Sequence, residues 1–157
     1  MASTTKVDFS DDLQKVAELL GGSDVLSRAV HNPLEVHDLL LEGLPGTALD
    51  HLVKALVVLD KTDSLEKAVG MSLRTYQRRL DRPSQPLSQE QSGRAWRFAE
   101  ILAKATSILG SQEEAERWLE RPAMALDGRR PIDLLSTPAG LELVGDHLTR
   151  LEYGVYA

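Results

Sequence analysis

The chain has 157 residues, of which 42% are apolar and 27% charged, and its formal net charge is −6. It contains no cysteine, which excludes disulfide bonds and thiolate metal sites and indicates a reducing, cytoplasmic compartment. No apolar run resembles a signal peptide or approaches the roughly 18 residues that span a bilayer. Aromatic residues make up only 4%, so leucine and alanine must build the core, which favours helices over sheets. We therefore predict an all-α protein.

The charges are distributed unevenly along the chain. Residues 51–110 carry ten basic and six acidic side chains, whereas residues 1–50 carry three basic and nine acidic ones. Residues 111–157 are again acidic, with five basic and nine acidic side chains. A basic middle between acidic ends indicates an anion-binding surface, and a solvated helical face is the alternative.

The first region, residues 1–46, reads as helices separated by turns. Capping and turn residues predict three helices, over residues 9–20 with Ser10 as N-cap, over residues 23–30 with Ser23 as the first residue, and from Pro33 to about Gly43. The turn cluster Gly-Leu-Pro-Gly at residues 43–46 marks the predicted end of this helical N-terminal region.

The second region, residues 47–110, is predicted to hold the DNA-binding and dimerisation elements. Leucines at 3-4-3 spacing predict a helix over residues 47–60, and Ser64 is the predicted N-cap of the next helix. A glycine turn at residues 70–72 precedes a helix over residues 73–82. A long helix is predicted from Ser88 to Leu109, closed by a glycine.

The segment SLEKAVGMSLRTYQRRL has the plan of a helix-turn-helix. Leu73, Tyr76 and Leu80 are predicted to face the core. The opposite side carries the predicted DNA-binding residues, which are Ser72, Arg74, Thr75, Arg78, Arg79 and Arg82. Arg94 and Arg97 on the following helix are candidates for phosphate contacts, and a solvated arginine face is the alternative. Glu66 departs from the usual pattern, which has a small residue after the first leucine.

The third region, residues 111–157, is predicted to form a C-terminal helical module. Ser111 and Thr137 are the predicted N-caps of two helices, and Leu141, Val144, Leu148 and Leu151 form the apolar stripe of the second. Between them lies a segment rich in proline and glycine, over which Trp118 is predicted to close a small core. Residues 150–157 are predicted to follow the last helix and to reach outward.

Three stretches, SLRTYQRRL, GSQEEAERWLERPAMALDGRRPIDLLSTPAG and LTRLEYGVYA, resemble the Xre/MbcA/ParS family of antitoxins. The similarity runs from about residue 50 to the C-terminus, and more weakly from residue 10. The resemblance implies an all-α protein with a central DNA-binding part and a C-terminal part that covers the substrate cleft of a toxin. Such toxins, of the RES-like or ParT-like type, consume NAD or transfer ADP-ribose from it, and the complex commonly represses its own operon.

The resemblance also indicates which C-terminal residues bind the toxin. The candidates are Trp118, Arg129, Arg130, Arg150, Glu152, Tyr153, Gly154, Val155 and Tyr156. The two tyrosines are large anchors with few rotatable bonds, and the energy of interfaces concentrates in such side chains. The expected partners are the toxin, operator DNA and a second copy of the chain, in a higher hetero-oligomer and without a membrane.

An enzyme is not expected. The four histidines form no helical metal pair, and the chain has no glycine-rich phosphate loop and no cysteine nucleophile. We therefore predict neither a metal site nor a cofactor. The alternative to an antitoxin is a stand-alone helix-turn-helix regulator whose C-terminal module binds a ligand or dimerises.

Overall fold

The computed structural model describes residues 9–154, and this part of the chain forms helices and no β-strand, as predicted. The helices are α1 (Phe9–Leu19), α2 (Gly22–Leu26), α3 (Pro33–Glu42), α4 (Gly46–Ala55), α5 (Lys61–Ser64, continued by a π-helical turn over Leu65–Val69), α6 (Leu73–Arg79), α7 (Gln89–Leu109), α8 (Gln112–Glu120) and α9 (Pro138–Glu152). Two 3-10 turns, Met124–Leu126 and Pro131–Leu134, lie between α8 and α9. No helix in the described range is long and apolar enough to cross a membrane.

The long helix α7 is the centre of the fold. Its buried face repeats at helical spacing through Ala95, Phe98, Leu102 and Ala105, which are at most 2% exposed. Helices α1, α3, α8 and α9 pack against it. The small alanines on this face allow the neighbouring helices to approach closely, so a leucine- and alanine-rich chain with few aromatics can still build a dense core.

Several predicted helix starts are confirmed by their hydrogen bonds. Ser72, Ser88, Ser111 and Thr137 each accept a hydrogen bond from the backbone N–H three residues later, at 3.0–3.1 Å. Other starts differ from the prediction. Phe9 is already helical, so Ser10 is not the N-cap of α1, and α2 begins at Gly22 instead of Ser23.

Helix α4 ends at Ala55, five residues before its predicted end. The chain then turns through Val57, Val58 and Leu59, whose backbone N–H groups donate hydrogen bonds of 2.8–3.1 Å to the carboxylate of Glu116 on α8. Glu116 is fully buried, and the side-chain amide of Gln112 is its fourth donor. A buried carboxylate requires such donors, and here the end of α4 supplies them, so the helix cannot continue.

Helix α5 is capped by Asp60, whose carboxylate accepts from the N–H of Asp63 at 2.8 Å. Ser64, the predicted N-cap, lies at the end of α5, where its hydroxyl donates to the carbonyl of Asp60. The predicted cap is therefore wrong by one helical turn. The π-helical turn that follows puts Ala68, 1% exposed, on the packed side and leaves Glu66 in solvent. Glu66 thus causes no clash, because Ala68 is the small residue at the packed position.

Candidate functional site

Helix α6 and the turn that follows it carry exposed arginines. Arg74, Arg78 and Arg82 are exposed, follow one another at four-residue spacing and have no ion-pair partner among residues 9–154. Ser72 and Thr75 share a hydrogen bond between their hydroxyls at 3.0 Å, so they fix the start of the helix. Arg79 is half-buried, and its guanidinium lies 3.5 Å from the carbonyl oxygen of Pro86. The helix therefore offers positive charge on one side and holds its other side against the protein.

One buried side chain, Tyr76, anchors α6 to the body. Its hydroxyl donates a hydrogen bond to Asp50 on α4, and the same carboxylate accepts from Lys54 at 2.8 Å. Burial, with the hydrogen bond to Asp50, raises the pKa of Tyr76. Burial also opposes ionisation of Asp50, but the bonds from Lys54 and Tyr76 outweigh it, and the pKa of Asp50 is lowered. Leu80, predicted to face the core, is 43% exposed because α6 ends at Arg79 and the chain turns away.

Of the two arginines predicted to add phosphate contacts, Arg94 is used inside the protein. Its guanidinium donates to the carbonyls of Lys67 and Ala68 at 3.0 Å and so closes the π-helical turn. It lies directly under Gly70, where any larger residue would collide with it. Arg97 is 63% exposed, and its nearest carboxylate is that of Glu100, at 3.9 Å. Only Arg97 of this pair is accessible to a ligand.

The segment between α8 and α9 is an ordered loop. Asp127 and Gly128 both have positive φ, and the turn they make brings the N–H of Ala123 to the carbonyl of Arg129 at 3.1 Å. Arg129 is exposed. Arg130, predicted to bind the toxin, instead makes two bonds of 2.9 Å to Asp133 and lies 3.6 Å from Asp63 on α5. This arginine therefore connects the loop to the helix-turn-helix.

The charges of this ion-pair cluster support one another. The hydrogen bonds that Arg130 donates to Asp133 raise the pKa of Arg130, and the same bonds lower the pKa of Asp133 against the effect of its burial. Lys67 on the π-helical turn is a further cation, 3.7 Å from Asp133. The cluster ties the C-terminal module to the first helix of the helix-turn-helix, and Glu116 ties it to the turn before that helix.

Trp118 and His147 join α8 to α9. Their rings are stacked, with centroids 5.7 Å apart and planes 22° from parallel, and Trp118 is 9% exposed. A tryptophan predicted to bind the toxin thus serves mainly in packing. The Nδ1 atom of His147 is buried without a hydrogen-bond partner in the described structure. Burial, and then the nearby Arg150, lower the pKa of His147.

The C-terminal module exposes three large apolar side chains. Met124 in the loop is 94% exposed, Leu143 on α9 is 55% exposed, and Tyr153 at the end of α9 is 76% exposed. Leu143 and Arg150 are seven residues apart and lie on the same face of α9. Sequence reasoning missed Met124 and Leu143, although Leu143 lies off the predicted core stripe, which was a usable signal.

The last turn of α9 corrects one prediction. Arg150 and Glu152 are helical and exposed, so they do not belong to an extension beyond the helix. Tyr153 caps α9, and its N–H bonds to the carbonyl of Thr149 at 3.2 Å, while Gly154 follows it. Val155 and Tyr156, the other predicted contacts at this end, lie outside the described residues.

Within residues 9–154, no three histidine, aspartate or glutamate side chains are grouped to hold a metal ion. Two regions of the described surface carry the exposed candidate residues. One is the arginine line of α6 and of the turn after it, and the other is the loop and α9, where Met124, Leu143 and Tyr153 are exposed.

Two family models match the chain, one for each surface. Residues 35–100 match the antitoxin Xre-like helix-turn-helix domain, and residues 104–154 match the antitoxin Xre/MbcA/ParS C-terminal toxin-binding domain. Among curated proteins, antitoxin Xre of Pseudomonas putida is 31% identical over 120 residues, which cover 76% of this chain and 72% of the relative.

Two further relatives agree with this result. Antitoxin Xre of Photorhabdus laumondii is 30% identical over 74% of this chain and 78% of its own length. The Prs ADP-ribosylating antitoxin of a Sphingobium species is 26% identical over 80% of this chain and 83% of its own length. All three relatives are named as antitoxins. With a helix-turn-helix and a toxin-binding domain in the same order as the two structural surfaces, the chain belongs to the Xre/MbcA/ParS family of antitoxins.

Proposed function

We propose that this chain neutralises a RES-like or ParT-like toxin, which degrades NAD or transfers ADP-ribose from it, by covering the toxin's catalytic cleft. The main observation in support is that Met124, Leu143 and Tyr153 are exposed on the module that matches the family model of a toxin-binding domain. Large apolar side chains in solvent mark an interaction surface. The name of the Sphingobium relative supports a connection to ADP-ribosylation.

Tyr153 is the side chain best placed to enter a cleft. It lies at the end of α9, is 76% exposed and is followed by a glycine with positive φ, so the chain can leave the helix there. Arg150 and Glu152, one helical turn or less before it, offer charges for the polar groups that bind NAD. Arg129 extends the same proposal to the loop, whereas Trp118 packs in the core and Arg130 holds the loop through its bonds to Asp133.

The test is inhibition of the purified toxin in an assay of NAD consumption. Tyr153→Ala should weaken inhibition by roughly 10- to 100-fold, because an interface anchor is lost. Val57→Ala is the matched control, since Val57 is 70% exposed on another part of the protein. Equal inhibition by both variants would show that the end of α9 is not the plug.

We also propose that the chain binds its own operator through α6 and represses its operon. Arg74, Arg78 and Arg82 support this, since each is exposed and unpaired within residues 9–154 and is able to reach guanine edges or phosphates. One seven-residue helix buries little DNA surface, so two copies are required on an inverted repeat. The toxin-binding domain favours this reading over a stand-alone regulator.

The double variant Arg74→Ala, Arg78→Ala tests the DNA surface. We expect a loss of operator affinity and a slope of log K against log salt that is smaller by about 0.9 for each phosphate contact removed. Arg117→Ala is the control, because Arg117 is an exposed arginine already paired with Glu113 and Glu114 on α8. An unchanged affinity and slope in the double variant would exclude α6 as the reader. Toxin inhibition should not change in either variant.

A further inference from the structure

The loop between α8 and α9 holds the side chain of Met124 in solvent. Met124 is 94% exposed, more than any other large apolar side chain of residues 9–154. Its backbone is fixed, because the N–H of Asp127 donates to the carbonyl of Met124 at 3.0 Å and the N–H of Gly128 donates to the carbonyl of Ala123 at 2.9 Å. The exposure of this thioether is therefore imposed by a hydrogen-bonded loop.

The sulfur atoms of this chain are few, and they differ in exposure. The sequence has three methionines and no cysteine. Met71, in the turn before α6, is 2% exposed and belongs to the hydrophobic core, and Met1 lies outside the described residues. Oxidation of a thioether depends on the access of the oxidant to the sulfur. Met124 is therefore the one sulfur among residues 9–154 that an oxidant in solution reaches directly.

Oxidation of Met124 changes the chemical character of the C-terminal surface. A lone pair of the sulfur attacks one oxygen of hydrogen peroxide, the O–O bond breaks, and the hydroxide that leaves takes up the proton. The sulfur loses two electrons to the peroxide, and the products are a sulfoxide and one water molecule. An apolar side chain thereby becomes polar. Methionine sulfoxide reductases reverse the step, in which two thiols become a disulfide and the oxygen leaves as water.

We propose that Met124 is a redox-sensitive modification site, at which oxidation to the sulfoxide by a peroxide weakens the binding of the toxin. The inference rests on the proposed function, in which Met124 is one of three large apolar side chains that contact the toxin. A sulfoxide gives up its hydrogen bonds to water when it is buried in an interface, so an apolar contact becomes an unfavourable one. Bound toxin covers the sulfur in turn, so the free chain is the form that is oxidised.

Limited treatment of the full-length chain with hydrogen peroxide, stopped with catalase before the toxin is added, tests this. The three methionines lie in three different tryptic peptides, so mass spectrometry measures the oxidation of each one. Met124 should be oxidised at least about tenfold faster than Met71. The oxidised chain should inhibit the toxin about tenfold less well, and its thermal unfolding transition should remain that of the untreated chain. Methionine sulfoxide reductase should restore the inhibition.

Three variants separate the effect of Met124 from that of other side chains. Met124→Leu has an apolar side chain without sulfur, and peroxide should leave its inhibition at the level measured before treatment. Met71→Leu is the matched control, and its inhibition should be as sensitive to peroxide as that of the parent chain. Met124→Gln has a polar side chain of similar length and should weaken inhibition about tenfold without peroxide. In the preformed complex with the toxin, Met124 should be oxidised at least about tenfold more slowly than in the free chain.

Several results would overturn the proposal. They are oxidation of Met124 no faster than that of Met71, full inhibition by a chain whose Met124 is oxidised, and a peroxide effect that persists in Met124→Leu. Equal rates of Met124 oxidation with and without the toxin would also overturn it, since the sulfur would then lie outside the interface. Failure of the proposed function gives a different result, in which the untreated chain does not inhibit the toxin although Met124 is oxidised faster than Met71. That result would refute the toxin-binding role and, with it, the effect of the oxidation on the toxin.

Discussion

Helix α6 and the C-terminal module use their charges in opposite ways. On α6 and in the turn after it, the arginines at positions 74, 78 and 82 are exposed and unpaired within the described range, and Tyr76 is the one buried side chain of the helix. In the C-terminal module Arg117 and Arg130 are paired within the protein, and the exposed side chains include Met124, Leu143 and Tyr153.

This difference fits the two proposed kinds of partner. A polyanion is attracted by charges that are not neutralised locally, and its binding therefore weakens with salt. A protein surface is bound mainly by burying apolar side chains, and pairing the charges within the protein lowers the cost of desolvating them. Salt should therefore affect the two proposed activities of this chain differently, with a steep decrease for DNA and a shallow one for the toxin.

The largest expected effect comes from Glu116, because it connects the two regions. Glu116→Ala leaves the N–H groups of Val57, Val58 and Leu59 without their acceptor, and should lower the free energy of unfolding by about 3–5 kcal/mol. Urea unfolding measures the loss. Glu114→Ala, on the exposed side of the same helix, is the control and should change stability by less than about 1 kcal/mol.

The Glu116 variant also tests whether the two regions depend on each other. If the buried carboxylate of Glu116 holds both regions together, toxin inhibition and operator binding should be lost together near the midpoint of urea unfolding. A variant that loses stability but unfolds in two separate transitions, with one activity retained, would show that the two regions fold independently.

A smaller effect, confined to the DNA side, is expected for Tyr76→Phe. The variant keeps the ring in the core but removes the hydrogen bond to Asp50, at a cost of about 1–2 kcal/mol. Because this bond positions α6, operator affinity should decrease while the salt slope, which counts phosphate contacts, stays the same.

Toxin inhibition is the second measurement for Tyr76→Phe, and it should not change. Lys54→Ala, which removes the other partner of Asp50, is the comparison variant. Its effect on operator affinity should be smaller, since Lys54 is 69% exposed and forms a surface ion pair with Asp50. Equal losses of operator affinity in the two variants would mean that α6 is positioned by the charge of Asp50 and not by the hydrogen bond from Tyr76.

The side chains that connect the helices show which features could be predicted from the sequence. Ser72, Ser88, Ser111 and Thr137 were predictable because a cap is bonded three residues away, and the core stripe of α9 because it repeats within one helix. Glu116 was not predictable, since its partners lie 57 to 59 residues away. The same applies to Arg94 and Arg130, which look like surface arginines until the fold brings Lys67 and Asp63 to them.

The smallest expected effect is a pH dependence of the C-terminal module. Burial lowers the pKa of His147 in the folded protein, so the unfolded chain binds a proton first as the pH falls. The contribution of the neutral His147 to the free energy of unfolding is therefore complete above the unfolded pKa of about 6.5. It is lost as the pH falls from there toward the lower pKa of the folded protein. Thermal unfolding between pH 7.5 and 5.5 measures this decrease.

His147→Phe keeps a ring against Trp118 and should remove this part of the pH dependence. His37→Phe is the control, because His37 is exposed on α3. Toxin inhibition over the same pH range adds a second measurement, since His147 and Leu143 are neighbours on α9. If inhibition decreases over the pH range in which His147 is protonated, the toxin contact lies on this face of α9. If the decrease persists in His147→Phe, another titrating group causes it. Operator binding at constant salt should not follow the transition, because α6 is positioned by Asp50 and Arg79 and not by α9.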